Sequence, residues 1–141
     1  MKDIIGRSDY FDFIELNLPR VPCKIDTGAY TNVMHCSESK VEGDVLKFKI
    51  ADHPNYNLPK DKWYQSTKFT TSNVRSSNGE TENRYTVYTN FKVLDKTIET
   101  EFTLTDRSKM ETPVLIGRIA LTDFLVDVTL TNVNFKKAFK K

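Results

Sequence analysis

What most narrows the fold is a period of two in the side chains. Tyr85, Val87, Thr89, Phe91 and Val93 alternate with Thr86, Tyr88, Asn90 and Lys92. Past a turn at Asp95-Lys96 the alternation returns as Ile98, Thr100, Phe102 and Leu104. Successive side chains of a strand point to opposite faces, so each run puts one face in a core, and the pair predicts a hairpin. Leu46, Phe48 and Ile50 alternate with lysines, and Val21, Cys23 and Ile25 alternate with Pro22 and Lys24. Ile14, Leu16 and Leu18 predict a half-buried strand that turns at Pro19-Arg20 into the 21–25 strand. Pro22 lacks an amide donor, which places that second strand at an edge or makes it irregular there.

Further strands are expected over Thr31 to Cys36, Trp63 to Thr71, Val114 to Ile116 and at the end of Phe124 to Leu130. Ile119 to Leu125 fits one or two helical turns, and no amphipathic helix of ten or more residues stands out. The stretch 52–62 is a loop, and 73–84 is the most polar segment, with Asn78-Gly79 as its turn. Many short strands punctuated by turn signals give an all-β fold, a closed barrel or a sandwich. A chain of 141 residues is a single domain over 1–141. A net charge of +2 is too small to imply nucleic acid. No apolar run is long enough to span a membrane, and the first residues carry no apolar signal segment, so the expected location is cytoplasmic. Cys23 and Cys36 are then reduced thiols, too few for a disulfide framework or a Cys-rich zinc site.

The chemistry concentrates at Asp26-Thr27-Gly28-Ala29, where an apolar strand runs into a turn that carries a carboxylate. An Asp-Thr-Gly tripeptide alone is most simply a turn. The preceding strand, the small Ala29 and a later apolar run ending in glycine, Leu115-Ile116-Gly117, set it apart. Two carboxylates about 3 Å apart can share one proton: the ionised one activates water and the protonated one polarises a scissile carbonyl. The chain holds one Asp-Thr-Gly and no Asp-Ser-Gly, so a dyad requires a symmetric homodimer in which two Asp26 residues meet. Thr27 would hold the loop through its hydroxyl, and Gly28 would permit the close turn.

Ile5-Gly6-Arg7, Lys24 to Ala29, His53-Pro54, Val74 to Gly79, Arg84-Tyr85, Leu104 to Arg107, Met110 and Leu115-Ile116-Gly117-Arg118 follow one another in a recognisable order. Over about residues 4 to 128 the chain resembles the bacterial retropepsin-like, RimB-type family long labelled "ATP-dependent zinc protease". The resemblance implies a retropepsin-type closed barrel with one short helix near the C-terminus, a homodimer, and an aspartic endopeptidase without a cofactor. It implies Asp26, Thr27 and Gly28 as the catalytic loop and Leu115, Ile116 and Gly117 as its support. It also implies a hairpin over residues 74–80 as a flap. Ala29, Arg75, Ser76, Ser77, Asn78, Gly79, Arg84 and Arg118 become candidate substrate-binding residues. The family accompanies ATP-grasp ligases that add glutamate, which makes acidic amide-linked tails the implied substrate, and two Arg forks suit carboxylates. Two positions depart from the pattern: Tyr30 stands where a basic residue usually follows the Ala, and Ile119 where a Glu often follows Gly-Arg. Viral retropepsins carry an Asp at the first position, paired with the later Arg; with Tyr30 there, Arg118 must find another partner or face substrate.

Other features have plainer readings. His35 and His53 lack paired zinc-ligand spacing, so no metal is expected, His35 reads as a barrel residue and His53 as a loop residue. No phosphate-binding loop is present for ATP. The lysines at 136, 137, 140 and 141 read as a solvated end, with Phe135 and Phe139 left to pack on the barrel or a partner. Two alternatives stay open beside the peptidase: a non-catalytic dimeric module that binds acidic peptides or a ligase partner, and a zinc-dependent hydrolase.

Overall fold

The computed structural model describes residues 2–50, 52–57, 62–75 and 79–139. In chain order its strands are β1 (Asp3–Ile5), β2 (Ser8–Phe13), β3 (Leu18–Ile25), β4 (Asn32–His35), β5 (Glu38–Glu42), β6 (Val45–Lys49), β7 (Asp52–His53) and β8 (Tyr56–Asn57). They continue as β9 (Tyr64–Ser66), β10 (Phe69–Arg75), β11 (Thr81–Val93), β12 (Lys96–Thr105), β13 (Val114–Ile116) and β14 (Phe124–Val126). A single 3-10 turn at Arg118–Ala120 follows β13, and helix α1 (Val133–Phe139) closes the order. No helix among the described residues is long and apolar enough to cross a membrane.

The expected hairpin is β11–β12, paired from Thr86↔Thr103 to Val93↔Lys96. Val87, Thr89, Phe91 and Val93 are buried on its inner face, with Thr100, Phe102 and Leu104 opposite them. The sheet order β11-β12-β4-β13-β3-β2 closes on itself through Lys92↔Asp12, giving a barrel of six strands. Closure leaves no open edge in the ring. Phe11, Phe13, Phe91 and Phe102 meet inside it, with ring centroids 5.3 Å apart for Phe13–Phe102 and 5.4 Å for Phe11–Phe91. Each fully buried Phe contributes about 1.5–3 kcal/mol from its removal from water.

The short strand β13 is the key to the topology. It runs parallel to β3 (Val114↔Cys23 to Ile116↔Ile25) and antiparallel to β4 (Val114↔Met34). It is therefore wedged between the two strands that enter and leave the Asp26 loop. β10 pairs with β11 outside the closed ring, from Phe69↔Val87 to Arg75↔Thr81. β5, β6 and β9 form a separate sheet whose Leu46 and Phe48 reach the core.

Several local expectations change. Residues 14–17 form a turn, with Asn17 at a left-handed φ of 55°, and the strand lies earlier, at β2. The inward positions of β2 are Asp9, Phe11 and Phe13, and the buried Asp at the head of that series hides its alternation. β3 is not an edge strand, but it is irregular near Pro22. Its pairing with β13 starts only at Cys23, and its ladder with β2 shifts between Phe11 and Phe13. Of residues 119–125, only the start continues the 3-10 turn, and β14 begins at Phe124.

Lys136 and Lys137 are exposed as expected, but the tail is ordered as a helix whose start is tied down. Asp9 accepts hydrogen bonds from the amides of Asn134 (2.7 Å) and Phe135 (3.0 Å), satisfying donors that the first turn of α1 cannot bond internally. Phe135 packs on Tyr10, centroids 5.2 Å apart. Lys140 and Lys141 lie outside the described residues.

Candidate active site

β3 delivers Asp26 by extending its ladder one residue past Ile25: the Asp26 amide donates to the Ile116 carbonyl at 2.8 Å. The chain then turns on its own carboxylate. Gly28 N–H donates to Asp26 Oδ1 at 2.9 Å, and Ala29 N–H donates to the Asp26 carbonyl at 3.2 Å. An Asp that accepts an amide two residues on is an Asx turn, which fixes the carboxylate plane. Among the described residues Oδ2 accepts no hydrogen bond from the chain, so it is the oxygen left for water. Asp26 is half-buried, while Thr27 and Gly28 are exposed.

The exit of β13 clasps the loop from the other side. Arg118 N–H donates to the Ala29 carbonyl at 2.8 Å, and Ile119 N–H to that of Tyr30 at 2.9 Å. Gly117 is required by this approach. A Cβ there would run into the Thr31 carbonyl oxygen and come within 2.9 Å of the Ala29 oxygen. Leu115 pairs with Lys24 and Val33, so Leu115, Ile116 and Gly117 all lie beneath or against the loop. The Thr27 carbonyl accepts Arg118 Nη1 at 3.0 Å, and no hydrogen bond of the Thr27 hydroxyl occurs among the described residues.

Arg118 is exposed and finds two partners of its own, the Thr27 carbonyl and the face of Tyr30, with the guanidinium 5.8 Å from the ring centroid. A cation over an aromatic face thus takes the place of a carboxylate partner. Tyr30 is 62% exposed beside the loop. Asn32 is the member that sequence reasoning missed. It is fully buried, accepts Gly117 N–H at 2.8 Å and donates to Thr100 Oγ1 and the Glu101 carbonyl. The only signal was one Asn opening an apolar run.

β10 and β11 form a hairpin base, with Gly79 at a φ of 88°. Ser76, Ser77 and Asn78 lie outside the described residues, as does the Arg75 side chain. Arg84 stands opposite Ser72 with its Nε buried and unpartnered, and no hydrogen bond or ion pair joins it to Asp26 among the described residues.

His35 and His53 are both buried, and His53 lies in the two-residue strand β7 rather than in the loop expected. Their rings meet edge-on with centroids 5.2 Å apart. His35 Nδ1 accepts Arg107 N–H at 2.9 Å, and His53 Nδ1 accepts Asn55 N–H at 3.1 Å. Burial holds the His53 imidazole below its ordinary pKa. No group of three or more His, Cys, Asp or Glu placed to hold a metal occurs among the described residues. Burial pushes the Cys36 thiol up to about 11 and holds Cys23 well above its ordinary value, so both stay protonated and are poor nucleophiles.

A closed barrel with an inserted strand clasping an Asp-Thr-Gly loop is the single-lobe architecture of retropepsin-like proteins. The chain belongs to the RimB-like family, described as retropepsin-like aspartic endopeptidase RimB, which it matches over residues 4–137. It is 32% identical over 127 residues to proteins named probable alpha-L-glutamate ligase from Shewanella pealeana and Shewanella halifaxensis. It is 29% identical over 133 residues to a protein of the same name from Desulfotalea psychrophila. The matches cover 86% of this chain but 27% of each Shewanella protein, and 89% against 28% for the third. The chain therefore spans about a quarter of the length of these curated relatives. The fold is also similar to a solved structure of a Legionella pneumophila protein of unknown function, with a TM-score of 0.75 and 25% identity. That match covers 95% of this chain and 99% of the other.

Proposed function

We propose that this protein is an aspartic-type peptidase whose site forms between two copies of the chain. The observation that carries the reading is the Asp26 carboxylate. One oxygen is fixed by Gly28 N–H, the other is open, and the loop is clasped on both sides by backbone hydrogen bonds. One chain supplies one such carboxylate, and hydrolysis by water needs two sharing a proton. An apolar surface lies close by. Ile4 and Leu125, partners on β1 and β14, are 49% and 54% exposed, and Val128 is 67% exposed. This surface is joined to the site through Ile5-Gly6-Arg7: the Arg7 carbonyl accepts Ile25 N–H at 2.9 Å, and Arg7 N–H donates to Leu130 at 2.9 Å. A second copy on that face would bring its own loop near the first.

Substrates are peptide or amide bonds in acidic, glutamate-rich tails. The family resemblance and the ligase names of the relatives support this class. The setting is cytoplasmic, in keeping with two unbridged buried cysteines. The test is hydrolysis of a glutamate-tailed peptide and of a neutral peptide by wild type and Asp26→Asn. Cleavage of the acidic peptide by wild type and its loss in Asp26→Asn at unchanged dimer content is expected; activity retained in Asp26→Asn refutes the mechanism.

The ligase names also favour a second reading, a dimeric module that docks acidic chains for a ligase. The separation of the two Asp26 carboxyls in a crystal of the dimer discriminates the two: about 3 Å fits a shared proton, and a gap too wide for one bridging water fits binding alone.

A further inference from the structure

Gly117 N–H has nowhere to go within the barrel. The β3–β13 ladder ends as Ile116 accepts from Asp26, and Gly117 itself is buried, pressed against Thr31 and Ala29. A buried amide left unmade costs about 1–3 kcal/mol. The Asn32 carboxamide meets that need and two others at once. Its orientation follows from its neighbours. Gly117 N–H can only donate, so it faces Oδ1 at 2.8 Å; the Glu101 carbonyl can only accept, so it faces Nδ2 at 3.0 Å. The second Nδ2 hydrogen points to Thr100 Oγ1 at 3.2 Å.

We propose that Asn32 is a positioning residue for the Asp26 loop. The inference rests on the reading of Asp26 as catalytic. Asn32 is fully buried and touches neither water nor substrate. It pins Gly117 to β12. Gly117 in turn fixes the two residues that hold the loop, Arg118 on the Ala29 and Thr27 carbonyls and Ile119 on the Tyr30 carbonyl. No other side chain of this size supplies both an acceptor for Gly117 and two donors for β12. Asp keeps the acceptor but loses both donors and buries a charge against a carbonyl. Leu keeps the volume but satisfies none of the three groups.

The experiment compares wild type, Asn32→Leu, Asn32→Asp and a control, Phe91→Leu, which weakens the barrel core away from the loop. Amide hydrogen exchange is read at Gly28, Ala29, Arg118 and Ile119, none of which bonds Asn32 directly. Both Asn32 variants are expected to speed exchange at these four amides by about tenfold or more while the β11–β12 amides stay protected. Phe91→Leu is expected to do the reverse, lowering protection in β11–β12 first. On a peptide ending in glutamates, kcat should fall about a hundredfold in the Asn32 variants, as for a small misplacement of a reacting group, with KM little changed. Faster exchange confined to Gly117, or global loss of protection as in the control, overturns the proposal. Failure of wild type to cleave any peptide refutes the peptidase reading instead, and exchange alone then decides whether Asn32 holds the loop.

Discussion

At the scale of single residues, Gly117 makes the strictest demand. Its requirement is not conformational freedom but space, because two carbonyl oxygens of the Asp26 loop occupy the volume that a Cβ needs. The neighbours are backbone, so they cannot turn aside as a side chain would. Gly117→Ala is expected to cost about 1–3 kcal/mol in urea unfolding, as overpacking does, with an unchanged denaturant slope. It should also abolish hydrolysis even where the barrel stays folded. Asp26 and Gly117 were legible in the sequence because each sits at the end of an apolar run, where a polar or small residue has a local reason. Asn32 and Asp9 were not. Each is a buried polar side chain tied to residues 68 or more positions away, and apart from the Tyr10 amide on Asp9 nothing nearby announces that its burial is satisfied. The Arg118–Tyr30 contact was half legible: the sequence denied Arg118 a carboxylate but could not say that the ring itself would receive the charge.

At the scale of elements, strands with one buried face were legible and those without were not. β11, β12 and β6 read directly from alternation and β13 from a short apolar run, whereas β5, exposed along its whole length, carries no pattern at all. Helix α1 was hidden for a different reason. With seven residues it is too short to show a helical period, and it is held by Asp9 rather than by its own cap. Asp9→Ala is therefore expected to free α1, seen as faster amide exchange over 133–139 with the barrel still protected, at a cost of about 0.5–2 kcal/mol. The His35–His53 contact joins β4, β7 and the 106–113 segment that leads into β13. Each imidazole accepts a backbone amide at Nδ1, which a protonated ring cannot do. At His53, burial first and then the Arg107 charge oppose protonation, against the backbone hydrogen bonds to Met110 and Arg107 and the Asp106 charge, which favour it. The His53 pKa lies below its ordinary value near 6.5, so the unfolded state binds the extra proton first. Its contribution to stability is complete above that unfolded value and is lost as pH falls through the folded one. Wild type should lose stability as pH drops below about 6.5. His53→Asn, which keeps an acceptor near the Nδ1 position, should flatten that slope in urea midpoints measured across the range. Asp9, raised above the usual carboxylate range by burial, works in the opposite sense at lower pH: its contribution is present below the unfolded carboxylate value and fades as pH rises through the folded one.

At the scale of the whole molecule, the barrel is closed, but under the proposed mechanism the chemistry is not. Every strand of the ring has two neighbours, whereas β1 and β14 form a two-stranded parallel sheet apart from it. The outward pair Ile4 and Leu125, with Val128 and Leu130 beyond, remains in water. Scattered exposed aliphatics need no explanation, but four of them on two adjoining segments, linked by backbone hydrogen bonds to the strand that carries Asp26, favour a protein partner. On the proposed mechanism, a second copy is the partner that would also supply the missing carboxylate. Replacing Leu125 by Glu tests both needs together. A charge there sits on an exposed strand position and leaves the core residues Ile5 and Phe124 untouched, so the monomer should keep its fold and its far-ultraviolet spectrum. Two such charges facing across a two-fold axis would be left without water or partner, a cost large enough to dissociate a modest interface. Sedimentation should show the variant shifting from dimer to monomer, and hydrolysis should fall in proportion to the dimer lost and return as protein concentration is raised. A variant that stays dimeric would move the interface elsewhere on the barrel. A variant that is monomeric yet fully active would mean that Asp26 works without its mate, and the shared-proton mechanism would fall with it.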